Sequence, residues 1–322
     1  MKSQTFRQWR KKHLKHNRVL NYLGYIALRG LVGFLLILGL DRSLRLAKRA
    51  GTLLWKHSKR HRERAMSNLQ AAFPEKDHQW HVETGVKSFQ NLAMMVIDII
   101  YTPRLVRKGN WREFSRFINA ERVKWIVKEH KGTVLLTPHY GNFEITGYMF
   151  GLYGFDLYSI ARPLDNPYIS RWLYGIREEK GQKIIDKKGA SEHMHDILGK
   201  GATLGFIADQ DAGRKGVFVD FFGRKASTYK SIGLVAMEYN VPIVVGVSRR
   251  VDERFFFEME CGRIIEPHEW KDKEKPLEWI TQEFSTEMER LIRKAPEQYW
   301  WIHRRWKTPP GRKRNRKVSP SM

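Results

Sequence analysis

His139 and Glu144 are the residues of this 322-residue chain whose types and spacing best suit catalysis. They stand in the stretch TPHYGNFE, where an apolar run ends at Pro138 and a helix is predicted after Asn142, a good helix cap. A reverse turn between the two residues would bring the carboxylate, in the first helical turn, back to the imidazole. The spacing therefore predicts a base held by an acid.

A carboxylate beside an imidazole fixes the tautomer of the ring and stabilises its protonated form. No serine or cysteine stands beside His139, and Thr137 lies two residues back on the predicted strand. We therefore expect His139 to take a proton from a substrate hydroxyl directly, without a covalent enzyme intermediate. The alternative is a structural histidine at the end of a strand.

The elements that must position these residues alternate between strands and helices from residue 133 onward. This pattern predicts an α/β fold with a mostly parallel sheet flanked by helices. Ligands bind beyond the carboxyl ends of the strands in such sheets, and His139 follows one of these ends. Residues 41–102 and 119–132 are predicted to be helical, and residues 275–307 one long helix. The predicted strands cover residues 133–138, 156–162, 182–186, 202–208, 241–250 and 254–265.

The chain is expected to have three parts. Residues 1–50 are predicted to be a basic membrane-anchoring segment, residues 51–310 a single domain, and residues 311–322 a basic tail that we expect to be disordered. Within the domain, residues 51–130 form a helical lead-in and residues 131–310 the α/β core.

Composition and charge argue against several classes of protein. Cys261 is the only cysteine, which excludes a disulfide framework, and no Cys/His cluster has zinc spacing. The formal net charge is +25, of which residues 1–18, 41–64 and 303–322 carry 22, whereas residues 65–302 carry only +2. A nucleic-acid enzyme would carry its positive charge in its working groove, so we expect an anionic membrane surface as partner and no nucleic acid.

Residues 19–40 form an apolar segment long enough to cross a bilayer, with Arg29 in its middle. Basic residues flank the segment on both sides, within reach of anionic headgroups. We expect a helix embedded in the membrane or lying along it, with the catalytic domain facing the cytosol. The alternative is a buried core helix.

The ordered motifs of the chain resemble those of the bacterial lipid A biosynthesis (lauroyl/myristoyl) acyltransferases, in the lysophospholipid acyltransferase superfamily. The resemblance implies an O-acyltransferase of the inner membrane that moves an acyl chain from acyl carrier protein, or another thioester, to a hydroxyl of a membrane lipid. A lipid A precursor is the first candidate for that acceptor. We expect no cofactor or metal, and a monomer. The motifs are NLQAAFP, HYGNFE, ARPLDNP, REEKG, ADQD, FFGRKAST and YWWIHRRWK.

The resemblance also assigns site residues. It makes His139 the base and Glu144 its partner, and it matches Arg162 to an arginine that faces substrate, with Asn166 shaping the same loop. Arg162 would hold a phosphate or stabilise an oxyanion, the alternative being an ordinary ion pair at the end of a strand. Arg177 is expected to add positive charge near the substrate, unless it lies on a solvated helix face.

Two further stretches are candidates for substrate contact. Asp209 and Gln210 end a strand on the same rim as His139, where the resemblance implies that they position substrate or the arginine. A Mg²⁺ site there is the weaker alternative, because direct acyl transfer needs no metal. Phe221 and Phe222 lie in an aromatic stretch predicted to be a loop, which suits the wall of an acyl-chain pocket but equally ordinary core.

Other functions stay open on the sequence. The acceptor is a lipid A precursor or another glycolipid or phospholipid. The same site using water would make a lipid esterase or thioesterase. A non-enzymatic binder of anionic lipid or nucleic acid is a further alternative, because YWWIHRRWK interleaves aromatic and basic residues.

Overall fold

The computed structural model describes most of the chain between residues 17 and 311. The predictions for residues 1–16, for most of the helix over 119–132 and for the tail over 312–322 lie outside the described residues. The described residues are 17–119, 121–122, 129, 132–186 and 190–311.

Ten helices and nine strands make up the described part of the chain. The helices are α1 (Arg18–Leu38), α2 (Leu40–His57), α3 (Lys59–Ala72), α4 (His78–Leu105), α5 (Phe143–Leu152), α6 (Pro167–Glu178), α7 (Ala190–Gly199), α8 (Ser231–Tyr239), α9 (Pro267–Trp270) and α10 (Pro276–Ile292). The strands are β1 (Ser115–Ile118), β2 (Thr133–Thr137), β3 (Leu157–Ala161), β4 (Lys183–Asp186), β5 (Thr203–Ile207), β6 (Val217–Phe221), β7 (Arg224–Thr228), β8 (Ile243–Arg250) and β9 (Phe257–Ile265).

Seven of the strands form one mixed, mostly parallel sheet in the order β1-β9-β8-β2-β5-β3-β4. The strands from β8 to β4 run in one direction, and β9 is antiparallel to β8. Helices flank this sheet, so the predicted α/β fold is confirmed. The carboxyl ends of β2, β5 and β8 lie at one edge, because these neighbours are parallel.

The central strand β2 is apolar throughout because both of its faces are covered. All five of its residues are buried. Val134 and Leu136 belong to the core cluster that includes Phe284 of α10, whereas Leu135 packs with Phe150 of α5 on the other face. The core therefore lies on both sides of the sheet, and β2 fixes the position of whatever follows it.

Three elements differ from the prediction. Strand β1 was not predicted, and residues 217–228, predicted to be a loop, form the antiparallel hairpin of β6 and β7. The long helix predicted over residues 275–307 ends at Ile292, a few residues before Pro296. Proline disfavours helical backbone in the residue before it, which turns residues 293–308 into a separate segment that packs back over the sheet edge.

The N-terminal helix α1 is largely exposed. It has 21 residues and a mean hydropathy of 1.6, and Val32 and Leu35 are its only buried residues. At about 1.5 Å per residue its length matches the apolar thickness of a bilayer. This exposure argues against the alternative of a buried core helix. The next helix, α2, packs along α4 so closely that a Cβ atom on Gly51 would lie 2.5 Å from Cα of Gln90.

Candidate active site

The loop after β2 presents His139 at the carboxyl edge of the sheet. The chain turns sharply at Gly141, which has a φ of +55° and no room for a side chain, since a Cβ atom would lie 1.9 Å from the carbonyl oxygen of Ser248. The neighbouring strand β8 holds the loop through a hydrogen bond from Asn142 N to that same carbonyl, at 2.8 Å. Glycine is therefore required here both by conformation and by space.

The imidazole of His139 is hydrogen-bonded to Asp209. Nδ1 of His139 lies 2.6 Å from Oδ1 of Asp209, and the backbone N–H of His139 donates to Oδ2 at 3.0 Å. Asp209 is fully buried and stands two residues beyond β5, the parallel neighbour of β2. Burial alone would raise the pKa of Asp209, but the charge and hydrogen bonds of His139 outweigh it and hold this pKa below its ordinary value.

This bond determines the chemistry of the ring. An ionised carboxylate only accepts hydrogen bonds, so Nδ1 carries the proton and Nε2 keeps its lone pair. His139 is 9% exposed, which leaves Nε2 as the nitrogen that can receive a proton from a substrate. The arrangement is that of a general base oriented by an acid.

The predicted contact between Glu144 and the imidazole is wrong. Glu144 binds Arg177 instead, with Nε of Arg177 donating to Oε2 at 2.8 Å and Nη2 donating to Oε1 at 2.5 Å. Asn142 caps α5 as predicted, accepting from Ile145 N at 3.0 Å, but the first turn of α5 directs Glu144 toward α6. The carboxylate therefore meets the last turn of the neighbouring helix, and Asp209 takes the place predicted for Glu144.

Arg177 keeps its positive charge and pairs it with the carboxylate of Glu144. Burial lowers the pKa of Arg177, but its hydrogen bonds with Glu144 offset this, and the pKa lies above its ordinary value. Arg177 is half-buried, so the alternative of a solvated helix face does not describe it. Two of its donor nitrogens are taken by Glu144, and Nη1 makes no hydrogen bond with another described residue.

The other predicted rim residues have different surroundings. Arg162 is exposed just beyond β3. Asn166 caps α6 through its side-chain oxygen, and its amide donates to the carbonyl of Asn21 at 2.7 Å, which ties α6 to α1. Gln210 is exposed, and its carbonyl accepts from Arg305 at 3.3 Å. Asn166 is thus placed for structure more than for substrate contact.

Phe221 and Phe222 lie in the core, as the alternative interpretation had it. They are 0% and 2% exposed and stack on each other and on Trp301, Tyr299 and Trp306. Phe221 ends strand β6 of the hairpin and Phe222 stands in its turn with a φ of +52°, and both side chains belong to the core.

The two carboxylates of the Mg²⁺ alternative, those of Asp209 and Asp211, each accept hydrogen bonds from the protein. Asp209 accepts from His139, and Asp211 accepts from the backbone and hydroxyl of Thr308 at 3.2 and 2.9 Å. The two carboxylates therefore have separate protein donors. The described residues that bring three metal-ligating atoms within 4.8 Å of one another are instead His139, Asp209 and His303, of which His139 and Asp209 are hydrogen-bonded to each other.

The C-terminal segment supplies site residues that the sequence analysis missed. The His303 ring lies 4.5 Å from the His139 ring, and its Nδ1 is 3.9 Å from Oδ2 of Asp209. The Trp300 ring lies 4.9 Å from the His139 ring, and Trp300 N donates to the His139 carbonyl at 3.1 Å. The motif YWWIHRRWK contains both residues, but it was predicted to lie in a long helix and was therefore not placed at the site.

Burial sets the protonation of His303. It lowers the pKa of His303 to about 4, against the opposing charge of Asp209. His303 is therefore neutral at neutral pH, and its Nδ1 has no hydrogen-bond partner among the described residues. A neutral ring beside His139 covers the Asp209 carboxylate without competing for its charge.

A buried ion pair supports the loop from the side of α4. Asp98 pairs with Arg250 at the end of β8, and its Oδ2 also accepts from the side-chain amide of Asn142 at 3.1 Å. Both charged side chains are almost completely buried. Gln298 then binds the backbone of Arg250 at 2.8 and 2.9 Å, so the same network reaches the C-terminal segment.

A large apolar cavity lies between the sheet and α5. Its volume is about 670 Å³, within the usual range of ligand sites. It lies on the Leu135 face of β2, and its wall includes Thr146, one helical turn beyond the cap of α5. Neither Phe221 nor Phe222 contributes to it. Its apolar lining includes Leu135, Phe150, Val244 and Met259.

Comparison with known proteins identifies the family. The family model for bacterial lipid A biosynthesis acyltransferases matches residues 8–308. The lipid A biosynthesis lauroyltransferase of Escherichia coli K12 is 28% identical over 275 residues, covering 81% of this chain and 83% of the relative. A lipid A biosynthesis acyltransferase of Haemophilus influenzae Rd is 26% identical, covering 80% of this chain and 79% of its own length. The palmitoleoyltransferase of E. coli K12 is 25% identical, covering 82% and 85%.

The match extends over nearly all of the described chain, including the loop of His139 and the C-terminal segment that covers it. The resemblance drawn from the motifs is confirmed, as is the prediction of an acyltransferase. The chain belongs to the bacterial lipid A biosynthesis acyltransferase family.

Proposed function

We propose that the protein transfers a fatty acyl chain from acyl carrier protein to a hydroxyl of a lipid A precursor, with His139 as general base. The observation that carries this proposal is the 2.6 Å contact between His139 and Asp209, which leaves Nε2 as proton acceptor. The names of the relatives support the lipid acceptor and the acyl group.

The reaction needs one base and no covalent enzyme intermediate. Nε2 of His139 takes the hydroxyl proton as the oxygen attacks the thioester carbonyl. The C–O bond forms, the tetrahedral intermediate collapses, and the C–S bond breaks. The departing thiolate receives the proton from the imidazolium, whose charge Asp209 has stabilised. Arg162 remains our predicted ligand for the oxyanion or for a phosphate.

Direct transfer is favoured by the state of the only cysteine. Cys261 lies on β9, in the wall of the apolar cavity. Burial raises its pKa to about 11, so its thiol is protonated at neutral pH and a poor nucleophile.

The apolar cavity is the space that we assign to the acyl chain. It extends along α5, whose first turn follows the His139 loop, and its lining is predominantly apolar. This assignment replaces Phe221 and Phe222. A bulky substitution such as Val244→Trp should shorten the preferred acyl chain.

The exposed helix α1 is the part of the protein that we assign to the inner membrane, with the catalytic domain in the cytosol. Its apolar side chains face outward, and Tyr22 and Tyr25 pack on Tyr168 of α6. The hydrogen bond from Asn166 to α1 also ties the start of α6 to this helix.

The direct test uses purified protein with acyl carrier protein loaded with a fatty acid and a lipid A precursor. His139→Ala should abolish transfer while membrane association is retained. His193→Ala, which changes an exposed histidine on α7, is the matched control and should behave as the native protein. Normal transfer by His139→Ala would refute the assignment of the base.

A hydrolase is the second candidate, because the same Nε2 would activate water equally well. An esterase or thioesterase would release free fatty acid at the same rate with and without the lipid acceptor. Under our proposal this release is slow compared with transfer.

A further inference from the structure

Three arginines meet where α3 approaches the C-terminal segment. Arg60 and Arg64 stand one helical turn apart on α3, and Arg304 follows His303. Nη1 of Arg64 donates to the carbonyl of Ile302 at 3.1 Å, which fixes α3 against the segment that carries Arg304. We refer to Arg60, Arg64 and Arg304 as the arginine cluster.

The arginine cluster has no carboxylate to balance it. Within the described ranges, none of its three members makes an ion pair, and Glu63 on the same helix contacts Lys59 at 3.9 Å. The pKa of Arg64 is lowered by burial and then by the charges of Arg304 and Arg60, so both of these guanidinium groups repel that of Arg64. Positive charge at the start of α3 is also opposed by the helix dipole.

Several other arginines of the described chain are neutralised by an acid. Arg177, Arg249, Arg250, Arg263 and Arg290 all pair with glutamate or aspartate. A cluster that keeps three positive charges together without an acid favours an anionic partner from outside the chain.

The arginine cluster lies next to the reaction centre. Its neighbour in the chain, His303, lies against the ring of His139 at 4.5 Å, and the charge of Arg64 reaches the imidazole of His303. Asn68 of α3 donates to the carbonyls of Trp301 and His303 at 2.8 and 3.0 Å, so the backbone segments that carry the three arginines are joined beside the site.

We propose that Arg60, Arg64 and Arg304 form a phosphate subsite that holds a substrate phosphate beside His139. Guanidinium groups bind phosphate through paired hydrogen bonds and keep their charge at all relevant pH values. This inference rests on the proposed function. The phosphate is either that of the pantetheine arm of the donor or a sugar phosphate of the acceptor.

The test compares the native protein with Arg60→Ala, Arg304→Ala and the double variant. These two side chains are chosen because they make no hydrogen bond to another described residue, whereas Arg64 supports a backbone carbonyl. Lys271→Ala is the control, because Lys271 is exposed and follows the short helix at the opposite edge of the sheet. It should leave all rates unchanged.

Two pairs of substrates distinguish the sources of the phosphate. The lipid A precursor is compared with the same lipid after enzymatic removal of its phosphates, and acyl-phosphopantetheine is compared with acyl-pantetheine, which differs from it only by the phosphate. In at least one of the two pairs, the native protein should have a higher kcat/KM for the substrate that carries the phosphate. The double variant should lose about tenfold or more of that preference, mainly through KM. The pair that responds identifies the source.

Other outcomes overturn the inference. A native protein without a phosphate preference in either pair contradicts it, as does a double variant that retains the native preference in both. These results leave the proposed function intact as long as His139→Ala remains inactive. Transfer by His139→Ala would instead refute the proposed function, whatever the arginine variants do.

Discussion

Nδ1 of His139 lies 2.6 Å from Oδ1 of Asp209, although 70 positions separate the two residues in the chain. Parallel pairing of β2 with β5 brings them together, because each follows its strand by two residues. The Asp209 carboxylate therefore lies beside the imidazole, in the position that sequence spacing had assigned to Glu144.

Replacing Glu144 should affect the position of Arg177 and leave the imidazole tautomer unchanged. We expect Glu144→Gln to reduce kcat by about tenfold or less, because the group acts on a neighbouring residue and not on the base. Arg177→Lys should give a similar loss, since lysine cannot reproduce the two parallel hydrogen bonds. Steady-state kinetics of the two single variants and the double variant measure the coupling. Strictly additive effects would contradict the pairing.

Stability between pH 6.5 and 4 should depend on His303. Its folded-state pKa of about 4 lies below the ordinary value of 6.5, so the unfolded chain binds the extra proton first as the pH falls. Above pH 6.5 His303 is neutral in both states and does not change the free energy of unfolding. As the pH falls from 6.5 toward 4, this free energy decreases progressively. His303→Gln removes this proton-binding group. The unfolding temperature of the His303→Gln variant should therefore fall less between pH 7 and pH 5 than that of the native protein. An equal fall would count against a neutral, buried His303.

The ion pair between Asp98 and Arg250 should be costly to break. Asp98→Ala leaves a buried guanidinium without its partner and removes the acceptor of the Asn142 amide. We expect a loss of about 3 to 5 kcal/mol in the free energy of unfolding. Arg254→Ala removes an exposed pair with Asp252 and should cost about 1 kcal/mol or less. Denaturant unfolding of both variants provides the comparison, and equal losses would show that burial of the first pair is unimportant.

Gly141 and Gly154 form a matched pair for testing the turn after His139. Both have positive φ, but a Cβ atom at Gly141 would meet the Ser248 carbonyl at 1.9 Å, whereas Gly154 has nothing within 4 Å. Gly154→Ala should cost about 1 kcal/mol from backbone conformation alone. Gly141→Ala should displace the loop and remove most activity. Comparable activity in the two alanine variants would mean that the loop tolerates displacement.

Much of the fold could be predicted because its elements have strong local patterns. The apolar run of β2 and the cap at Asn142 both appear in the structure as expected. The β6–β7 hairpin and the strand β1 have weaker local patterns. Their strands are short, and the position of each depends on partners elsewhere in the chain.

The site was predicted less completely because its contacts cross the sequence. Sequence proximity suggested that Glu144 contacts the imidazole of His139, but strand pairing places Asp209 there. The role of His303 depends on the segment after Ile292 folding back, and this in turn depends on a helix that ends earlier than its amphipathic pattern indicated. Glu144, Asp209 and His303 all belong to the motifs of the chain, but the motifs do not show how these residues are arranged in space.

The measurement that tests the central claim most directly is a double-mutant cycle on His139 and Asp209, with single-turnover rates of acyl transfer. Asp209→Asn alone should lower the rate by about a thousandfold or more, because an amide no longer enforces the tautomer of the ring. Once His139 is alanine, Asp209→Asn should change the rate no further, since the two residues act as one unit. Additive losses, or an Asp209→Asn variant with nearly native rates, would contradict the account.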